Sequence, residues 1–180
     1  MLSQTQNKIL SPRHIIEQLS VQTGQRIADF GSGAGDFAIA AAKAVGDEGL
    51  IYAFDILSTA HQSLRSKARM YGIHNIESVI TNIELSQGTH LPSAHLDLVM
   101  LHNILFQISD KQAVLQEAAR VLGSQGRISI LEWDPLSPIG PLKEHRITPN
   151  VLHTLMQQAG FTKECDLSAG KYHYGAIYYR

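Results

Sequence analysis

Four residues at alternate positions, Asp29, Gly31, Gly33 and Gly35, hold the most specific chemical pattern in this 180-residue chain. They follow the apolar pair Ile27-Ala28 and precede Asp36 and an alanine-rich stretch. Glycine tolerates positive φ and carries no side chain, so a turn built from three of them lets the backbone come close to a ligand at a helix N-terminus. A second carboxylate, Asp55, closes the next apolar run, Leu50 to Phe54. In a βαβ unit that run lies beside the first, which brings Asp55 to the same sheet edge as the glycines. There a carboxylate can accept two hydrogen bonds from ribose hydroxyls. Later apolar runs deliver Asn82-Ile83-Glu84, then His102-Asn103, then Glu132-Trp133 to strand ends, with Glu132 expected to face solvent. Histidine titrates near neutral pH, which makes His102, and His145 further along, candidate bases.

The elements that must position these residues alternate regularly. Ser11-Pro12 has the N-cap-then-proline form of a helix start, and a lead-in helix is expected within residues 1–25. Arg26 to Phe30 reads as a central strand. A helix follows from about Asp36 to Gly46, with Phe37, Ala40, Ala41, Ala44 and Val45 on its inner face. Leu50 to Asp55 is a second strand. Ser58 then offers a cap for a helix with Ala60, Leu64, Ala68 and Tyr71 inward, ended by Gly72. Ile76 to Thr81 and Leu96 to Leu101 read as strands three and four. Ser109 to Gln112 has the capping-box pattern for a helix with Val114, Leu115, Ala118, Val121 and Leu122 inward. Arg127 to Trp133 is the fifth strand. The segment 134–149, with four prolines and one glycine, overhangs its end as an expected lid. Thr148-Pro149 starts a last helix, with Val151, Leu152 and Leu155 inward, and two strands follow across Ser168-Ala169-Gly170.

Bulk properties narrow the function classes. The length suits one domain, 1–180, with a core of its own. A formal net charge of −1 gives no global attraction to nucleic acid, so nucleic-acid partners are disfavoured. The single cysteine, Cys165, allows no intrachain disulfide and no multi-cysteine metal site, and the scattered histidines lack ligand spacing, so no metal is expected. Residues Met1 to Lys8 lack a signal-peptide layout and no apolar run reaches membrane-spanning length, which points to a cytoplasmic location with no membrane partner.

Dinucleotide dehydrogenases place a third glycine where this chain has Asp36, and a carboxylate there sits badly against a pyrophosphate. The run Asp29-x-Gly31-x-Gly33-x-Gly35 instead resembles motif I of the class I S-adenosylmethionine-dependent methyltransferases, and among them the small ubiquinone/menaquinone-biosynthesis-like (methyltransferase type 11) branch. The resemblance runs from Ser11 onward. It implies a single doubly wound, Rossmann-like α/β sheet of seven strands, mostly parallel, in the order 3-2-1-4-5-7-6 with an antiparallel terminal hairpin. It implies S-adenosylmethionine as cofactor, with Gly31, Gly33 and Gly35 beside its methionine part and Asp29 at its amino group. Asp55 would take the ribose, Ile56 the adenine face, and Asn82 with the Ile83 N–H the adenine edge. His102 would lie beside the sulfonium. Asn103, Phe106 and Trp133 would line a pocket for a small-molecule methyl acceptor. The alternative is a non-catalytic S-adenosylmethionine-binding or regulatory module of the same fold.

Overall fold

The structure, a computed structural model, describes residues 10–180; the Met1–Lys8 stretch and the rest of 1–9 lie outside the described residues. Seven strands form one sheet: β1 Arg26–Phe30, β2 Leu50–Asp55, β3 Ile76–Ile80, β4 Leu96–His102, β5 Leu122–Trp133, β6 Thr162–Leu167 and β7 His173–Tyr179. Their order is β3-β2-β1-β4-β5-β7-β6. The first five pair in parallel, and β7 pairs antiparallel with both β5 and β6. The expected topology is therefore the observed one.

Five helices cover the two faces: α1 Pro12–Gln18, α2 Asp36–Val45, α3 Ser58–Met70, α4 Lys111–Val121 and α5 Pro149–Gln158. Strand residues alternate between two cores, as the period of two requires. Ile27, Ile51, Leu98 and Met100 pack with Ile15 and Ile16 of α1, Leu64 of α3 and the alanines of α2. Phe30, Phe54, Leu101 and Ile130 pack with Val114 and Leu115 of α4 and Leu152 and Met156 of α5. Asp29, Asp55 and His102 belong by alternation to the α1–α3 side, and all three lie at carboxyl ends of strands.

Local expectations hold at Ser11 and Thr148, whose hydroxyls accept the N–H of His14 and of Val151. Several shift by a few residues. The inner residues of α2 are Ala38, Ile39, Ala41, Ala42 and Val45, while Ala44 is exposed. A run of alanines carries too little hydrophobic contrast to fix a helix's phase. Ser58 is the first residue of α3 and caps nothing, because Asp55 Oδ1 accepts the Leu57 N–H at 2.9 Å. Tyr71 lies on the surface beneath the Lys43 ammonium, 4.0 Å away, instead of facing inward. Asp110, not Ser109, caps α4, accepting from Ala113 N–H. Leu122 opens β5 through its pairing with Leu96, so helix and strand share no intervening loop. Val151 is exposed, and Met156 fills the inner position on α5.

The proline-rich segment after β5 is wrapped around one side chain. Arg146 donates to the carbonyls of Asp134, Pro135, Ser137, Ile139 and Pro141 at 2.7–3.3 Å. A planar guanidinium can serve several acceptors at once in a way an ammonium cannot. Gly140 lies flat on Trp133, where an added Cβ would come within 2.5 Å of the indole. Arg146→Lys is expected to destabilise the protein by about 2 kcal/mol and to make limited proteolysis cut between residues 134 and 147. Unchanged melting and an unchanged cleavage pattern would show that the guanidinium does not hold the segment.

Candidate functional site

The glycine turn is fastened to the end of β2. Gly31, Gly33 and Gly35 all have left-handed φ, at 77°, 50° and 85°. The N–H groups of Gly31 and Ser32 both donate to the Phe54 carbonyl, at 2.8 and 2.9 Å. The Gly33 N–H donates to Asp55 Oδ2 at 2.8 Å. Asp55 thus holds the turn with one oxygen and the start of α3 with the other. His61, buried in α3, donates from Nε2 to the Asp55 carbonyl and accepts at Nδ1 from Ser78 of β3. A Cβ on Gly35 would fall 2.2 Å from Leu64 Cδ1, and one on Gly31 would fall 2.6 Å from Ile104 Cδ1. Those two positions need glycine for φ and for space together.

Asp29 ends its strand beneath this turn and is 2% exposed. Its Oδ2 has no hydrogen-bond partner, and the Ala38 N–H in the first turn of α2 favours its charged form less than burial disfavours it. Burial pushes its pKa up to about 7; the backbone N–H opposes this and the Asp55 charge adds to it. His102 is also buried, its Nε2 bonded to Ser129 Oγ at 2.8 Å and its ring edge-on to Phe37 with centroids 4.3 Å apart. Its Nδ1 has no partner, and burial pulls its pKa down to about 3, so the ring is neutral at physiological pH. Ser32 Oγ and Asn103 Oδ1 are unpartnered as well. Asp29, Ser32, His102 and Asn103 all line one cavity of about 1080 Å³. Buried polar atoms are nearly always hydrogen-bonded, so four unsatisfied ones around a single cavity mark a place for a polar, cationic ligand.

The structure divides the expected site residues into groups. Asp29, Gly31, Gly33, His102 and Asn103 come together at the cavity, but Gly35, Asp55, Ile56, Asn82 and Ile83 do not line it. Ile56 is 63% exposed beyond the end of β2, and Asn82 is exposed with its Oδ1 accepting the Glu84 N–H. The side chain of Ile83 is buried in the α4–α5 core. That end of the site is therefore open surface. Phe106 and Trp133 do not reach the cavity either, and Trp133 is sandwiched between Gly140 and His173, with ring centroids 4.2 Å apart in the second pair. His145 is exposed on a short 3₁₀ turn, Lys143–His145, away from the cavity lining.

Glu132 corrects a sequence expectation. It is 1% exposed rather than solvent-facing, accepts the Leu105 N–H at 2.8 Å, and leaves Oε2 without a partner. Burial raises its pKa to about 7. The sequence carried the signal, since Glu132 keeps the alternation of buried Ile128 and Ile130. Also missed were Ser32, Ile16 of α1 and Val21 just beyond it, which line the cavity, and Ile104, which packs on Gly31. Among the described residues no group of three metal-ligating side chains occurs, and no helix is long and apolar enough to cross a membrane.

A seven-stranded sheet in this order, with the glycine turn and an acid at the ends of its first two strands, is the arrangement of class I S-adenosylmethionine-dependent methyltransferases. A family profile described as a methyltransferase domain matches residues 22–171, and the chain belongs to that family. It is 33% identical over 147 residues to the ubiquinone/menaquinone biosynthesis C-methyltransferase UbiE of Haemophilus ducreyi, covering 77% of this chain and 55% of the relative. For the same-named enzyme of Proteus mirabilis the identity is 29%, over 82% of this chain and 60% of the relative. The chain thus spans little more than half the length of these relatives. Among solved structures, a methyltransferase from Aquifex aeolicus dependent on S-adenosylmethionine superposes with a TM-score of 0.86 at 21% identity, over 98% of this chain and 93% of that one. A putative type 11 methyltransferase from Sulfolobus solfataricus gives 0.77 at 20% identity, over 96% and 94%.

The raised pKa of Asp29 has a definite sign in stability. Unfolded, this carboxyl loses its proton near pH 4; folded, it keeps the proton to about 7. Its contribution to folding therefore falls as pH rises through that window. His102 acts the opposite way between about pH 3 and 6.5, since the unfolded chain binds the proton that the buried ring refuses. The difference between parent and Asp29→Asn isolates the carboxyl. In denaturant titrations of the ligand-free protein, Asp29→Asn should gain on the parent by a few kcal/mol from pH 4 to pH 8. A difference that does not change with pH contradicts the buried, unpaired state of Asp29.

Proposed function

We propose that this chain transfers the methyl group of S-adenosylmethionine to a small-molecule acceptor. The observation that carries the reading is the buried, unpartnered Asp29 carboxylate at the N-terminal end of α2, opening on the same cavity as the glycine turn. The residues present fit this cofactor. Its methionine part carries an ammonium and a sulfonium, and Asp29 offers a desolvated negative charge that gains most from a cation. Gly33, with open space where a Cβ would stand, leaves room for the cofactor to lie on the backbone, while Gly31 lets Ile104 pack close beside it. Asp55, already fixed by Gly33 and Leu57, still has lone pairs to accept from ribose hydroxyls. Ile56 offers an apolar face to adenine, with Asn82 and the Ile83 N–H at its edge.

When bound, the cofactor supplies a methyl group already activated by positive sulfur. The chain's contribution is then alignment of the acceptor and exclusion of water. His102 suits a neutral polar wall better than a base, because its burial makes it a weak proton acceptor. His145, on the outer surface, takes no part in this reading. The acceptor would lie between α1 and α2, against Ile16, Val21, Phe37 and Ala40. Those apolar walls, and the quinone-biosynthesis names of the relatives, support a small aromatic acceptor of the hydroquinone or phenol class, methylated at carbon. The 134–149 segment, tied by Arg146, serves as a fixed shoulder of the fold rather than a swinging lid. The lone free cysteine is consistent with a cytoplasmic location.

Two measurements test this. Calorimetry and thermal melting with S-adenosylmethionine should show micromolar binding and stabilisation, with no effect of NAD; the absence of any effect of S-adenosylmethionine refutes the donor. Turnover on a panel of hydroquinones, phenols, thiols and amines separates an enzyme from a binding module of the same fold, which would bind without product. Asp29→Asn should weaken cofactor binding at least tenfold while stabilising the ligand-free protein at pH 8. Asp55→Ala should cost at least as much affinity and also lower the melting temperature, since it releases Gly33. Wild-type affinity in either variant overturns that residue's assignment.

A further inference from the structure

Glu132 is a buried ionisable group that the transfer reaction does not use. It sits next to last in β5, directly across from Tyr174 of β7. Its carboxylate has no ion-pair partner among the described residues. The groups that face it are Lys111 of α4, whose charge acts on it from a distance, and Tyr174, whose hydroxyl donates instead to the Ile147 carbonyl. Asp134 lies close enough to act on the same tyrosine. What Glu132 does contact is backbone: its Oε1 accepts the Leu105 N–H at 2.8 Å, at the start of the turn that follows β4, and the neighbouring Ile104 and Phe106 amides also favour its charged form. Backbone N–H groups gathered near a carboxylate stabilise an anion.

Those amides belong to the segment by which the chain leaves β4. Asn103 has φ of 56°, a left-handed conformation for a residue with a side chain, and its N–H donates to the Leu131 carbonyl at 2.7 Å. A 3₁₀ turn of three residues, Leu105–Gln107, follows and has little stability of its own. Yet this short, strained piece places Asn103 in the cavity wall and packs Ile104 against Gly31. Such conformations persist only where the surroundings over-determine them. We propose that Glu132 is a positioning residue of the donor site, acting through the Leu105 amide to hold Asn103 and Ile104 against the glycine turn.

The inference rests on the reading of this cavity as the S-adenosylmethionine site, and its test keeps the two apart. Wild type, Glu132→Ala, Glu132→Gln and, as a control, Glu117→Gln are titrated with S-adenosylmethionine by calorimetry. Amide hydrogen exchange at residues 104–106 is measured on the ligand-free proteins. Glu117 is a second buried carboxylate, bound to Thr89 and Arg120 far from the cavity lining. Glu132→Ala should bind at least tenfold more weakly and exchange the Leu105 amide at least tenfold faster. Glu132→Gln keeps an acceptor oxygen and should recover affinity to within about threefold of wild type. Glu117→Gln should lower the melting temperature with affinity unchanged. Wild-type affinity and exchange in Glu132→Ala overturn the proposal. If that variant does not fold, Glu132→Gln decides: exchange at Leu105 a few-fold faster supports the anchor, and unchanged exchange overturns it. A wild type that ignores S-adenosylmethionine refutes the donor-site reading, while the exchange data still decide what Glu132 holds.

Discussion

The glycine turn has no side chains with which to hold itself, and everything at the candidate site depends on what replaces them. The carboxyl end of β2 does so. The Phe54 carbonyl takes two N–H groups of the turn and the Asp55 carboxylate takes a third. Behind Asp55 stands a relay that crosses two elements, Ser78 of β3 to the His61 ring and the ring to the Asp55 carbonyl. Parallel pairing of β2 with both β1 and β3 keeps the donors and acceptors in register. A residue that would serve a ligand's ribose is thus already part of the scaffold, and its oxygens are oriented before anything binds. Preorganised acceptors of this kind need no rearrangement on binding.

The two ends of the cavity are built differently. The Asp29, Gly31 and Gly33 end is made by strand termini and falls within residues 22–171, the part matched by the methyltransferase-domain family. The far wall is α1, which lies before that region. Helix α1 is docked by Ile15, Ile16 and Leu19 and by polar ties: Gln18 bonds in both directions with the backbone of Ser168, and Arg127 donates to the Leu19 carbonyl. These contacts reach across the sheet to β5 and to the turn after β6. Helix α1 is therefore tied to the β5 side of the sheet, and it also packs on α2, the helix that opens at the glycine turn.

Much of this was legible in the sequence because buried parallel strands such as β1, β2 and β4 appear as near-continuous apolar runs; β1, β2 and β5 end where expected, while β3 stops at Ile80, one residue short of Thr81, and β4 runs on to His102. Proline after serine or threonine marked two helix starts correctly. Helix phase was less legible in α2, where alanine occupies both faces. The order of capping was misread at α4, where Asp110 displaces Ser109, and at α3, where Ser58 caps nothing. The larger failure was Glu132. Its charge suggested solvent while its place in the Ile128, Ile130, Glu132 alternation put it inside, and the period was the better guide. The Arg146 staple was invisible for a different reason: its acceptors are carbonyls, which every residue has, so no residue type announces them.

Polar groups in this core are treated in two ways. Glu117 is buried and fully answered: it is bonded to Thr89 and to the Arg120 guanidinium, and those contacts hold its pKa below the usual carboxylate range in spite of burial. Asp29, Glu132 and His102 are buried and answered only in part, and burial pushes each toward its neutral form. The fold could have answered them in the same way, since one arginine suffices for Glu117. An arginine beside Asp29 would fill the cavity and cancel the charge that a cationic ligand would meet. One beside Glu132 would compete with the Leu105 N–H for its oxygens and free the turn that carries Ile104. The unanswered groups cluster around the end of β4, one lining the cavity below the glycine turn, one in its side wall and one behind that wall. Among the described residues these three give up stability together at one end of the sheet, as expected where a fold keeps electrostatic work undone for a ligand to complete.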